Sequence, residues 1–241
     1  MTSQLMEESM RSNNEGVAHA ASNHVNQAAD EFCKSLRIAQ HLLSGVSPEY
    51  NDLQSPSTDP MHLPTDMGNE RYHHYHTTKT VRFVKSGPSG VFVYQKALIL
   101  ESTSSASMTS ETLANRLSTY CAATCYNLAL LYHQEGLSTG RSRCIDKAEQ
   151  LYSACLRLLQ NGNLSCLNPT TLLITIIASN NLAEIELSKG MVQTASSHIQ
   201  FVEWLVYECQ VVKLDLFSPE EIHDLMGNML HGKGMNTATA A

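Results

Sequence analysis

Apolar positions recur at helical spacing along most of the chain. In residues 25–43, Ala28, Phe32, Leu36 and Ala39 fall four, four and three apart, which places them on one helix face. The signal is strongest in residues 120–160 and 169–213, each of which reads as an inner helix followed by an amphipathic partner. Residues 120–132 are apolar on nearly every side, as in a helix sandwiched between others. In the partner, Ile145, Ala148, Tyr152, Cys155 and Leu159 form one stripe opposite Arg143, Lys147, Glu149 and Gln150. In the second stretch Val192, Ala195, Ile199, Val202 and Val206 form a narrow seam, and Trp204 and Tyr207 read as packing residues and not as a binding patch.

Local start and stop residues frame these helices. Ser110 can cap a helix from Glu111, and Gly136 and Gly140 are expected to stop it. Asn161-Gly162-Asn163 ends the partner helix. Asn168 then caps the next, with Pro169 at its first position, where a missing N–H is harmless. Ser218-Pro219-Glu220-Glu221 is a capping box for a last helix presenting Ile222, Leu225, Met226, Met229 and Leu230.

Between the helical stretches the pattern changes. Residues 46–79 hold Pro48, Pro56, Pro60 and Pro64 and read as a linker or long loop. Residues 80–84 and 91–100 are β-branched and aromatic, with Ser86-Gly87-Pro88-Ser89-Gly90 between them, and predict a β-hairpin over 80–101. A lone hairpin is marginal in water, so it should lie on the helices or pair with another edge. Residues 102–110, seven of nine Ser or Thr, predict a flexible loop. Phosphorylation there would add charge near a helix start. Residues 1–12 are expected to be disordered, 13–45 to form a first helical unit, 111–230 a helical domain with a terminal capping helix, and 231–241 a tail.

The two long stretches share a frame. Asn127-Leu128-Ala129 with Gly136 matches Asn181-Leu182-Ala183 with Gly190. Asn14-Glu15-Gly16 fits the same frame, since Ala28 and Phe32 follow Gly16 at the distances by which Ala195 and Ile199 follow Ala183. In the middle unit Ala148 and Tyr152 keep their mutual spacing after seven extra residues. This frame resembles the tetratricopeptide repeat, a helix–turn–helix unit of about 34 residues. Leu128, Ala129, Tyr132, Gly136, Ala148 and Tyr152 fit its pattern. The third unit has Leu182, Ala183, Gly190 and Ala195 but Glu186 where the tyrosine belongs, and the first keeps Gly16, Ala28 and Phe32. Small residues let the two helices approach while large ones fill the gap.

The resemblance implies a mainly α fold, with antiparallel helical hairpins stacked as a short array around the inserted β-hairpin. Residues 46–110 interrupt that array after its first unit. The resemblance also implies a peptide groove lined by inner helices, with Tyr126, Asn127, Leu130 and His133 from one unit and Ile177, Asn180, Asn181, Glu184 and Leu187 from the next. Asn14, Asn127 and Asn181 occupy the position that contacts a peptide C-terminus in carboxylate-binding members. The plainer reading is that these amides hydrogen-bond between helices, as buried amides must find partners.

Composition narrows the function. Net charge is −7 with no basic tract, which disfavours nucleic acid and anionic membranes. The longest apolar run, 128–132, is far short of the ~20 residues that span a bilayer. Residues 1–16 lack the features of a signal peptide, so a cytoplasmic or nuclear location is expected. The seven cysteines form no C-x-x-C pair and read as small buried hydrophobes. His73, His74 and His76, with Tyr72 and Tyr75, offer imidazoles for a transition metal, but no fixed carboxylate accompanies them. No nucleotide-binding, hydrolase or metalloprotease motif is present. The expectation is a non-catalytic protein-interaction scaffold for a protein or peptide partner, without cofactor or metal. The alternatives are a metal-binding protein or enzyme built on the histidine cluster, and a structural subunit of a larger complex.

Overall fold

The computed structural model of the chain describes residues 2–46, 79–82, 93–101, 110–160, 169–211 and 213–227. They are mainly helical. Six long helices follow in order: α1 (Thr2–Ala21), α2 (Val25–Val46), α3 (Ser110–Thr139), α4 (Ser142–Gln160), α5 (Pro169–Ser188) and α6 (Val192–Val211). A seventh, α7, covers 219–227, with Ser218 and Glu221 exchanging the two bonds of a capping box. Strands β1 (Lys79–Arg82) and β2 (Lys96–Ile99) pair antiparallel, with Lys79 opposite Ile99 and Arg82 opposite Lys96.

The helices form three antiparallel pairs that pack in chain order, α2 against α3 and α4 against α5. Within the first pair Ser9 meets Ser35 and Gly16 lies under the Phe32 ring, where a Cβ would come within 2.7 Å of ring carbons. Within the second, Tyr126 faces Tyr152 and Gly136 faces Ile145. Ala28, Ala129, Ala148, Ala183 and Ala195 are all buried, as close helix approach requires. Residues 117–131 of α3 are buried without a break, because α2, α4, α5 and β2 all contact that helix. A second apolar cluster joins Leu172, Ile176 and Ala183 of α5 to Ile199, Val202 and Val206 of α6 and Leu225 of α7.

Several expectations need correction. Residues 2–12, expected to be disordered, belong to α1. Its buried face is filled by Ser9, Ser12 and Asn13 as well as Met10 and Val17, so its apolar signal is weak. Ser9 and Asn13 are paired: Ser9 Oγ donates to the Ser35 carbonyl at 3.0 Å, Ser35 Oγ to the Ser9 carbonyl at 2.8 Å and Asn13 Nδ2 to the Leu98 carbonyl at 3.0 Å, while Ser12 Oγ has no partner among the described residues. Gly136 does not stop α3, which runs on to Thr139. Tyr207 is 62% exposed and does not pack.

The β-hairpin expected as an inserted unit is not supported either. Its turn, at 86–90, lies outside the described residues, and residues 93–95 have no strand pairing. Residues 93–100 are instead a buried extended segment whose second edge is met by helix side chains. The linker core, the Ser/Thr-rich stretch 102–109 and residues 228–241 also lie outside the described residues.

Candidate functional site

Helices α1, α3 and α5 share one side of the molecule, and the extended segment 93–100 crosses it. In an antiparallel strand pair, alternate residues turn their N–H and C=O to opposite edges. One edge of β2 faces β1. The other faces the helices, and there each inner helix supplies an asparagine in place of a neighbouring strand.

The geometry repeats three times. Asn181 Oδ1 accepts from the Tyr94 N–H at 2.8 Å, and its Nδ2 donates to the Tyr94 carbonyl at 3.0 Å. Asn127 does the same for Leu98, at 2.8 Å in each direction. Asn14 does it for Leu100, at 2.9 and 2.8 Å. A carboxamide carries one acceptor oxygen and a donor NH₂, so it reproduces the pairing that a peptide group offers across a sheet. These partners also fix which way each amide points.

The residues around the three asparagines hold them in place. Asn127 Nδ2 also donates to Asn13 Oδ1 at 2.9 Å, while Asn13 Nδ2 donates to the Leu98 carbonyl at 3.0 Å. Asn180 Nδ2 donates to Asn181 Oδ1 at 3.2 Å. Tyr126 Oη donates to the carbonyls of Tyr94 and Lys96, both at 3.2 Å. Burial raises the pKa of Tyr126 well above the usual phenol value, so it acts as a neutral donor.

The segment is held from outside as well. The Tyr94 ring packs edge-on against Phe217, with centroids 5.9 Å apart. Lys96 Nζ lies 2.7 Å from Glu221 Oε1. Burial pushes the Glu221 carboxyl up, but hydrogen bonds from Lys96, the Ser218 backbone and Tyr94 outweigh it and leave the pKa below the ordinary value.

The expected groove residues divide into three sets. Tyr126, Asn127 and Asn181 contact the segment, with Asn180 supporting Asn181. His133 and Glu184 face each other, Nε2 to Oε2 at 2.8 Å, with Tyr152 Oη 3.5 Å from His133 Nδ1 and 3.0 Å from Asn181 Nδ2. Leu130 and Ile177 are core, and Leu187 is partly buried against the second cluster. Eight of the nine are buried and Leu187 is partly exposed; the segment 93–100 covers Tyr126, Asn127 and Asn181. The order Tyr152–His133–Glu184 has the form of a proton relay. All three are at most 3% exposed.

The asparagines therefore do more than bridge helices, which was the plainer expectation. Sequence reasoning missed the segment, Asn13 and the Phe217/Glu221 contact. The frame held a usable signal: an Asn-Asn doublet in the first and third units, and Tyr-Asn in the second.

An open cavity of about 510 Å³ is lined by Leu100 of the segment and by Glu7, Met10, Arg11, Asn14, Glu15 and Ala18 of α1. Among the described residues no cluster of three or more His, Cys, Asp or Glu could hold a metal, and no helix is long and apolar enough to cross a membrane. His73, His74 and His76 lie outside the described residues. No family model, curated protein or solved structure matches the chain.

Proposed function

We propose that this chain is a non-catalytic protein-interaction scaffold of tetratricopeptide-like character, whose inner helix faces hold extended polypeptide. One observation carries the reading: Asn14, Asn127 and Asn181, on three different helices, each close two hydrogen bonds on the main chain of an extended segment. Recognition of that kind suits a protein or peptide ligand and gives nucleic acid or a membrane nothing to hold. The net charge of −7 agrees with this. A cytoplasmic or nuclear setting belongs to the same reading. It is supported by the free thiols of Cys121, Cys125 and Cys155, which burial keeps protonated.

The test is site-directed photo-crosslinking in native lysate. A photoreactive residue replaces Ala18, at the open end of the inner side, or Gln193, on the exposed surface of α6. Discrete protein adducts from position 18 and not from 193 support the scaffold. No adduct from either position sinks it.

A further inference from the structure

Resting on that scaffold reading, we infer that the partner is a protein segment with the pattern of residues 94–100, an aromatic residue followed by leucines four and six positions later, and that this chain's own segment holds the partner's place. The groove reads two things. Six hydrogen bonds, three donated by and three accepted by Asn14, Asn127 and Asn181, join them to main-chain atoms of residues 94, 98 and 100, so they fix an extended backbone and its register without selecting side chains. Selection comes from the side chains. Tyr94 fills the space beside Phe217, and Leu98 and Leu100 are buried, at 0% and 4% exposure. Ala97 is also fully buried, so that position takes only a small residue. Lys96 reaches Glu221, which adds a preference for a basic residue two positions after the aromatic one.

Next to Leu100 lies the cavity of about 510 Å³, which Met10 and Arg11 of α1 also line. A partner strand extending past its second leucine would reach Met10 and Arg11 in that cavity and gain contacts beyond those it makes in place of residues 94–100. The partner needs them, because a tethered competitor acts at an effective concentration in the millimolar range. Free chain is thus closed to weak ligands and yields to one that also occupies the cavity.

The test uses the full chain and a fluorescent peptide of residues 91–103, read by anisotropy. Two variants weaken the internal segment. Tyr94→Ser/Leu98→Ser removes its anchors, and Lys96→Glu sets a like charge against Glu221 while leaving the core intact. The peptide is expected to bind either variant at least ten-fold more tightly than wild type, and a scrambled peptide is expected not to bind. Glu221→Lys should reverse the preference, so that a peptide with Glu at the Lys96 position binds better than the native one. Should the double variant lose its helical circular dichroism, the Lys96→Glu and Glu221→Lys arms decide. Absence of peptide binding to folded Lys96→Glu chain overturns the inference, as does equal binding to wild type and variant. Gel filtration showing a dimer that forms by exchanging the segment also overturns it, since the occupant would then be a second copy. If adducts still form at position 18 while the peptide fails, the scaffold stands and only this inference falls.

Discussion

The pairs α3/α4 and α5/α6 share one frame and solve its interior differently. In the first, Tyr126 and Tyr152 fill the space between helices, and Tyr132 lies under Lys147, whose Nζ is 4.8 Å from the ring centroid. In the second, Glu186 stands in the place of Tyr132 and is 5% exposed, with His198 Nε2 3.6 Å from its Oε1. Glu186 Oε2 and His198 Nδ1 have no hydrogen-bond partner among the described residues. Both pairs nonetheless present an asparagine to the extended segment at the same frame position. The interior of a pair tolerates exchange of an aromatic for an acid, whereas the face toward the segment keeps one residue type. The main chain it meets demands a donor and an acceptor at fixed spacing, and a carboxamide offers both without a change of protonation.

The largest effect should come from breaking that shared face. Asn127→Ala leaves the buried Leu98 N–H without its acceptor and Asn13 Oδ1 without its donor. Each buried polar group left unpaired costs about 1–3 kcal/mol, so a loss of about 2–4 kcal/mol is expected by urea unfolding. Asn181→Ala should fall in the same range, since it strips the Tyr94 N–H and also the bond to Tyr152 Oη. Asn14 is only partly buried, and water can replace its side chain, so Asn14→Ala should cost about 1 kcal/mol. Equal effects at all three positions would show that burial does not set the strength of these contacts.

The paired glycines separate the two units next. A Cβ on Gly136 would sit 2.5 Å from Ile145 Cδ1, so Gly136→Ala forces α3 and α4 apart and should cost about 1–3 kcal/mol. Gly190 has open space around it but a left-handed backbone, with φ of 76°. Gly190→Ala should cost about 1 kcal/mol through backbone strain alone. Adding Ile145→Ala should partly relieve the first substitution and leave the second unchanged, a coupling that a double-mutant cycle reads directly. Additive effects in both units would mean that the close approach at Gly136 is not what makes that substitution costly.

How far the fold could be read in advance follows from which residues make contact with which. The helix pairs were visible because their apolar stripes repeat locally, as in 145, 148, 152, 155 and 159. Helix α1 was partly hidden, because Ser9 and Asn13 are buried by hydrogen bonds to partners 26 and more residues away, which no local window contains. The asparagines were visible as positions in a frame but not as a site. Their partners lie 29 to 87 residues distant, in a segment whose β-branched and aromatic composition predicts a hairpin equally well. Strand character in 96–99 was legible; that helix side chains would take the place of one neighbouring strand was not.

The smallest effect, and the one that most sharpens the contrast between the pairs, is a pH dependence confined to α5/α6. Burial, and then the negative charge of Glu149, raise the pKa of Glu186 from 4.5 to about 7. The native state therefore keeps this proton over a range where the unfolded chain has released it. Stability from this group is full below about pH 4.5 and is lost as pH rises toward and through 7. His198 acts in the opposite sense: burial lowers its pKa, so it withdraws stability as pH falls below 6.5. The two limbs overlap and partly cancel in the wild type, so the measurement has to be a difference. The stability of Glu186→Gln relative to wild type should rise by about 1 kcal/mol between pH 5 and pH 8, less than the full shift implies because the site is partly polar. His198→Gln removes the other limb and should steepen the fall of stability with rising pH. If the Glu186→Gln and wild-type profiles run parallel from pH 5 to 8, the acid is not held protonated between α5 and α6, and the two pairs differ in shape alone.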